Sequence, residues 1–495
     1  MKNNKLIQLL KTFSSNEMKR LNDYVATPFF NKNKTLARLL LLISKQYPHF
    51  ESPKIQKETL YAQIAGKEKP YNDGIMRNWI SQLFAVCQDF TAYLGYETNK
   101  HQQSIFLLEY YYGQNNEPLF EETMQKAQQN LQTQGIDLWY FLNKAELDMA
   151  QNAFMRRKYR SNPVYLSQHF NHADEFESLS NYYLNHLLQL SYHYHYLKKF
   201  LPNEQDYNNE QLNIGHIEKT VALYPNLHEI NRIAYWKLQL AISQEAQYFL
   251  LLKDWVLDKL PTLHLNFDKL WLRVLHITLC NYANARIENG QTEYMPHYIV
   301  IFDNQIRLDL HLMQLDTQVA LEKNGYMSYI VYCAYLGNYA QAEQFLQQFK
   351  PLLLPDEQEN TYHYCRSIIL FYQQQYAQAL DILENMTAQE TPYVKIGMKR
   401  LSAQLLYETQ QFLRFEPYLD AYIHYLNSPN IGLGALRLEI EKNFAHCLAR
   451  LYRLLKRPTT KRINAICADM EHLQLSYYKQ WLLDKVNEVR GKKLR

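Results

Sequence analysis

Tyr339-Ala340-Gln341-Ala342 recurs as Tyr376-Ala377-Gln378-Ala379, thirty-seven positions further along the chain. An echo at a fixed spacing of 20–50 residues marks an architecture built by stacking one supersecondary unit on the next. The helix opening at the first echo carries Tyr339, Ala342, Leu346 and Phe349, and the second carries Tyr376, Ala379, Leu383 and Met386. A third member, thirty-six positions on, carries Phe412, Phe415, Leu419 and Tyr422. Steps of i, i+3, i+7 and i+10 put each quartet on one helical stripe. An apolar pair precedes each stripe at a matching offset (Tyr332-Cys333, Ile369-Leu370, Leu405-Leu406), as a partner helix would supply. The links Leu336-Gly337-Asn338, Gln373-Gln374-Gln375 and Thr409-Gln410-Gln411 are short, which forces consecutive helices antiparallel.

This pattern resembles the tetratricopeptide family of helix–turn–helix repeats over about residues 318–428. Gly337-Asn338-Tyr339, Ala342 and Leu346 are similar to that family's small turn, small and large apolar positions. The spacing of 36–37 exceeds the family's 34, the first helices lack its Trp and Leu-Gly pattern, and Phe415 stands where Ala is expected. The resemblance implies a partner-binding face on the first helices, with Tyr329, Tyr332, Tyr362 and Arg366 as candidate contacts; the alternative for these four is packing between repeats.

With 13 glycines in 495 residues and prolines clustered at helix junctions, the composition predicts an all-α chain with no convincing strand. The expected architecture is a tetratricopeptide-like repeat solenoid preceded by a small helical N-terminal domain. Its divisions are a basic domain over 1–100, helical hairpins over 101–205, and a repeat domain over 206–495 closed by one C-terminal capping helix from about 460 to 490. Pro28 to Lys34, with Pro70-Tyr71-Asn72-Asp73, gives the first 100 residues a similarity to a group of uncharacterised bacterial helical proteins, which implies no activity. Within that region, Ser14 and Glu17 form a capping box, and Phe29 and Phe30 are expected to plug a gap between helices. Ile75, Trp79, Leu83, Val86 and Phe90 form an expected helical stripe.

The formal charge of +4 conceals a net +7 over 1–100, −11 over 101–436 and +8 over 437–495. Two basic clusters could contact a nucleic acid or another anion: Arg156, Arg157, Lys158 and Arg160, and Arg453, Lys456, Arg457, Lys461 and Arg462. Both also fit solvated faces or cations complementing a helix C-terminus. Six scattered cysteines without a C-x-x-C spacing read as reduced thiols of a cytoplasmic protein. No apolar run approaches membrane-spanning length. No P-loop, nucleophile elbow or H-E-x-x-H sequence occurs. His169, His172 and Glu175 share a helical face but lack a second ligand set, so neither metal, cofactor nor catalytic residue is expected. The sequence therefore points to a non-catalytic scaffold or adaptor for an unidentified protein or peptide, with a nucleic-acid-binding or regulatory protein as the alternative.

Overall fold

A computed structural model describes residues 4–66, 68–162, 164–166, 172–198, 212–224, 227–263, 266–315, 318–386, 391–428 and 431–493. The chain forms two compact units, one of residues 1–134 and 142–179 and the other of residues 135–141 and 180–495. The first unit thus continues past residue 100, because α5 (Asp73–Thr98) packs on α6 (Lys100–Gly113), and α6 packs on α7 (Glu117–Thr133). The expected division near 205 falls outside the described residues.

The first unit begins with α1 (Lys5–Leu10), α2 (Ser15–Ala26), α3 (Lys34–Ser44) and α4 (Lys57–Ala65). These four and α5 enclose a core that includes Leu6, Leu21, Leu39, Leu60 and Leu83. The capping box that opens α2 is present: Ser14 N–H donates to the Glu17 carboxylate (2.7 Å) and Glu17 N–H to the Ser14 hydroxyl (3.3 Å). Two expectations fail here. Phe29 does not fill a gap but is 84% exposed, because Phe30 and Asn31 N–H both turn back to the Thr27 carbonyl and leave residue 29 at the tip. Phe30 stacks on Tyr24 at 4.0 Å. The buried face of α5 is Met76, Ile80, Leu83, Cys87 and Phe90, rotated from the expected stripe, and Ile75 is exposed. The remainder of this unit packs Phe120 of α7 face to face on Phe154, 4.2 Å away, in α8 (Leu138–Lys158).

The second unit contains most of the helices: α9 (His172–Lys198) from Ser180 onward, α10 (Ile214–Ala222), α11 (Glu229–Ser243), α12 (Ala246–Asp254), α13 (Lys269–Glu288) and α14 (Tyr294–Arg307). A small antiparallel hairpin follows, β1 (Leu312–Leu315) and β2 (Gln318–Leu321), with Leu312 opposite Leu321. Expecting no strand missed it, since a four-residue strand is too short to show alternation. Then come the pairs α15 (Lys323–Tyr335) with α16 (Tyr339–Phe349), α17 (Gln358–Tyr372) with α18 (Tyr376–Glu384), and α19 (Pro392–Glu408) with α20 (Phe412–Leu426). The chain ends in α21 (Ala435–Lys456), α22 (Thr460–His472) and α23 (Tyr478–Lys493). The expected single last helix is two, broken at Leu473–Tyr477, where Ser476 has φ +54°.

Each first helix packs on its own second helix and on the first helix of the next pair, α15 on α17 and α17 on α19. Leu346, Leu383 and Leu419 are buried, as are Ala342, Ala379 and Phe415. The three links close identically. Asn338, Gln375 and Gln411 N–H reach back to the Cys333, Leu370 and Leu406 carbonyls at 2.9, 2.8 and 3.0 Å. The preceding residue takes the left-handed conformation: Gly337 at φ +80°, Gln374 at +61°, Gln410 at +56°. Glycine is at ease there, and glutamine is not, at a cost of about 1 kcal/mol. Gln374→Gly and Gln410→Gly should therefore each raise the free energy of unfolding by roughly 0.5–1 kcal/mol, and Gly337→Gln should lower it. Urea titration of the three variants measures this; unchanged midpoints would mean the links are not held in that conformation.

Candidate functional site

The residues chosen from the resemblance occupy two different surfaces of the first helices. The Tyr329 hydroxyl donates to Asp303 Oδ1 (2.6 Å) and accepts from Gln341 Nε2 (2.7 Å), while its ring stacks on Phe345 at 4.1 Å. Tyr362 accepts from Gln347 Nε2 (2.7 Å) and lies under Lys350, and Arg366 ion-pairs with Glu343. These three are thus engaged by α14, α16 and the turn after α16. Tyr332 alone lines a cavity, its hydroxyl donating to Asn284 Oδ1 at 2.8 Å.

That cavity, about 890 Å³, lies between α13, the start of α15 and the start of α19. Its walls are rich in carboxamides and hydroxyls, among them Asn281, Asn284, Asn324, Ser328 and Thr391. Such groups both donate and accept, as peptide groups do. A smaller recess of about 60 Å³ shares Ser328, Tyr332 and Tyr393 with it and reaches Arg400 of α19 and Arg437 of α21.

Those two arginines belong to a buried ionic cluster. Glu441, with no exposed surface, accepts from Arg400 Nη1 (2.5 Å), Arg437 Nη2 (3.0 Å) and the Tyr422 hydroxyl (2.7 Å). Arg437 also donates to the Tyr478 hydroxyl (2.9 Å) and approaches Glu288 at 3.4 Å. The Arg400 guanidinium lies 3.7 Å from the centre of the Tyr478 ring and that of Arg437 lies 4.9 Å from Tyr393, so ring faces supply further counter-charge. The Nε atom of each arginine is buried without a hydrogen-bond partner among the described residues. Sequence reading missed this cluster. Its local signal was only the i, i+4 pair Arg437 and Glu441; Arg400 is 41 positions from the carboxylate it meets.

The last helix, α23, packs on α21 and α22 and reaches the ends of the first helices α17 and α19 through its side chains. Trp481 donates from Nε1 to Glu408 (2.7 Å) and contacts the rings of Phe371, Tyr407 and Phe444. Lys485 pairs with Glu408 at 3.0 Å. Tyr477, just before α23, meets Tyr332 and Tyr335 edge-on, and Ser476 donates to the Ile287 carbonyl at 3.4 Å.

The basic clusters differ. In the first unit Lys158 is held by Glu121 (2.6 Å) and Glu117 (3.1 Å), whose carboxylates raise its pKa, and Arg157 donates to the Tyr112 carbonyl and covers the Tyr112 ring. Arg156 is also engaged, and Arg160 stands in the turn that ends α8. In the second unit Arg453, Lys456, Arg457 and Arg462 line one pocket, with Lys461 exposed in the first turn of α22. No cluster of three His, Cys, Asp or Glu side chains among the described residues could hold a metal ion, and His169 lies outside them. No described helix is long and apolar enough to cross a membrane. No family model, curated protein or solved structure matches the chain.

One further cavity, about 280 Å³, is lined by Trp139, Trp271, Tyr192 and Lys237. Lys237 Nζ stands 4.2 Å from the Tyr192 ring centre, and burial lowers its pKa to about 8. An unfolded lysine titrates near 10.4, so between these values the unfolded chain binds more protons and stability rises with pH. Lys237→Met should therefore stabilise the protein most below pH 8, with the gain shrinking toward pH 10; melting curves at pH 7 and pH 10 would reveal an equal shift if the amine were not desolvated. Glu441→Gln should cost about 3–5 kcal/mol in chemical denaturation, the penalty for unpairing buried charge. The half-exposed Glu488→Gln should cost under about 1 kcal/mol.

Proposed function

We propose that this protein is a non-catalytic scaffold whose tetratricopeptide-like helix pairs hold a partner polypeptide on the face formed by their first helices. The reading rests on one observation: side chains of the C-terminal segment already dock on that face, Tyr477 from just before α23 and Trp481 and Lys485 from α23 itself. A face that takes an aromatic anchor, a lysine and a backbone-directed hydrogen bond from its own chain has the chemistry to take them from another. Beyond Tyr477 it continues into the polar cavity of about 890 Å³, where paired donors and acceptors suit a peptide backbone. Such repeat stacks serve as extended binding surfaces. On this reading the ionic cluster keeps first helices and α23 in register and performs no chemistry.

Affinity co-purification from the source cells, read by mass spectrometry, tests it. The partner should be recovered with the native protein and with Gln378→Arg, on an exposed position of α18. It should be lost by at least about tenfold with Ser328→Arg, whose long cation would occupy the cavity. Equal recovery with Ser328→Arg would contradict the assignment of this face.

A further inference from the structure

A second site stands apart from that face. Where α21 meets α22, on either side of Pro458-Thr459, the helices enclose a pocket of about 530 Å³, within the range of small-molecule sites. Among the described residues, five basic ones line it and no acidic one does. Two of the five are neutralised from outside: Arg450 pairs with Asp469, and Lys456 with Glu416 at 3.1 Å. Arg453, Arg457 and Arg462 make no ion pair among the described residues; the Arg462 guanidinium donates to the Arg457 carbonyl, at 3.3 Å, and its backbone N–H caps on the Thr459 hydroxyl. Lys461 and Arg462 moreover occupy the first turn of α22, the positive end of a helix, where cations are disfavoured. Three guanidiniums converging without a carboxylate, one of them at an adverse helix end, are an arrangement that a polyanion would stabilise. Planar guanidinium forks match phosphate oxygens in pairs.

The floor of the pocket is of another kind. Leu454 and Ile466 are buried, and Ala465 lies beside them. The pocket thus has an apolar part, with Ala465 exposed and Leu454 and Ile466 behind it, against which a ring can be placed. A ligand that satisfies both parts carries a ring and several phosphates on one compact body. A nucleic-acid strand would need cations spread along a track, with aromatic side chains for successive bases. Here the cations gather on one concavity, and no aromatic residue among those described lines it. We propose that this pocket binds a nucleoside polyphosphate, its base against Leu454, Ala465 and Ile466 and its phosphates on Arg453, Arg457 and Arg462. The site is independent of the partner-binding face.

Isothermal titration of the full-length protein with ATP tests this, with adenosine, inorganic tripolyphosphate and a 20-nucleotide single-stranded RNA as separate arms. ATP should saturate at one per chain. Arg453→Gln/Arg457→Gln should weaken it by about tenfold or more, the loss expected for charge-assisted hydrogen bonds. Ala465→Trp should weaken ATP and leave tripolyphosphate unchanged. All three positions are exposed, and unaltered melting curves would verify the fold. Absence of ATP binding at millimolar concentration, or binding that survives the double substitution, would overturn the proposal. Tripolyphosphate binding as tightly as ATP would remove the base from it. RNA binding that the double substitution abolishes and ATP does not displace would assign the pocket to nucleic acid instead.

Discussion

A single carboxylate with no access to water joins the C-terminal helices of this protein. Glu441 gathers Arg400 from α19, Tyr422 from α20 and Arg437 from its own helix, and through Arg437 it reaches Tyr478 at the start of α23. Burying charge is expensive, and the expense is met only where partners are in place and geometry is close. Four helices are thereby fixed at one point. Arg437 reaches Glu441 within its own helix, but the Arg400 guanidinium and the Tyr422 hydroxyl reach it only when α19 and α20 stand in one register against α21. We read the cluster as the device that selects that register.

Tyrosine carries the same logic outward. The chain has 41, and in the repeat region several rings packed between helices end in hydroxyls that hydrogen-bond. Tyr326 donates to the Leu346 carbonyl, Tyr339 to the Tyr372 carbonyl and Tyr332 to Asn284. Burial pushes the phenols of Tyr298, Tyr332 and Tyr422 well above their usual range, so they remain neutral donors. Each supplies apolar area between helices and a directional bond at its tip. Stacked pairs built this way are specified by polar contacts as well as by apolar packing.

Much of this was legible in the sequence, for reasons that can be named. The stripes at Leu346, Leu383 and Leu419 are periodic, and the cap at Ser14 is local, so both could be read without the rest of the fold. The phase of the first helices could not. In α15 every residue from Tyr329 to Ala334 is buried, so periodicity cannot say which side faces the cavity, and only Tyr332 of the four candidate contacts lies there. The break before α23 has neither proline nor glycine; Ser476 enters the left-handed region instead. Arg400 looked like any helical arginine, because its burial is decided by Glu441 from a distant part of the chain.

On the proposed reading, the first helices of the C-terminal pairs take side chains from the last segment of the chain, and an open polar cavity adjoins them. In-cell photocrosslinking tests this most directly, with a photoreactive amino acid placed at Asn284 or Asn324 of the cavity, or at Gln378 on α18. A discrete crosslinked polypeptide from the two cavity positions, and none from Gln378, is the predicted result. Crosslinking from Gln378 alone would place any partner elsewhere and contradict the account.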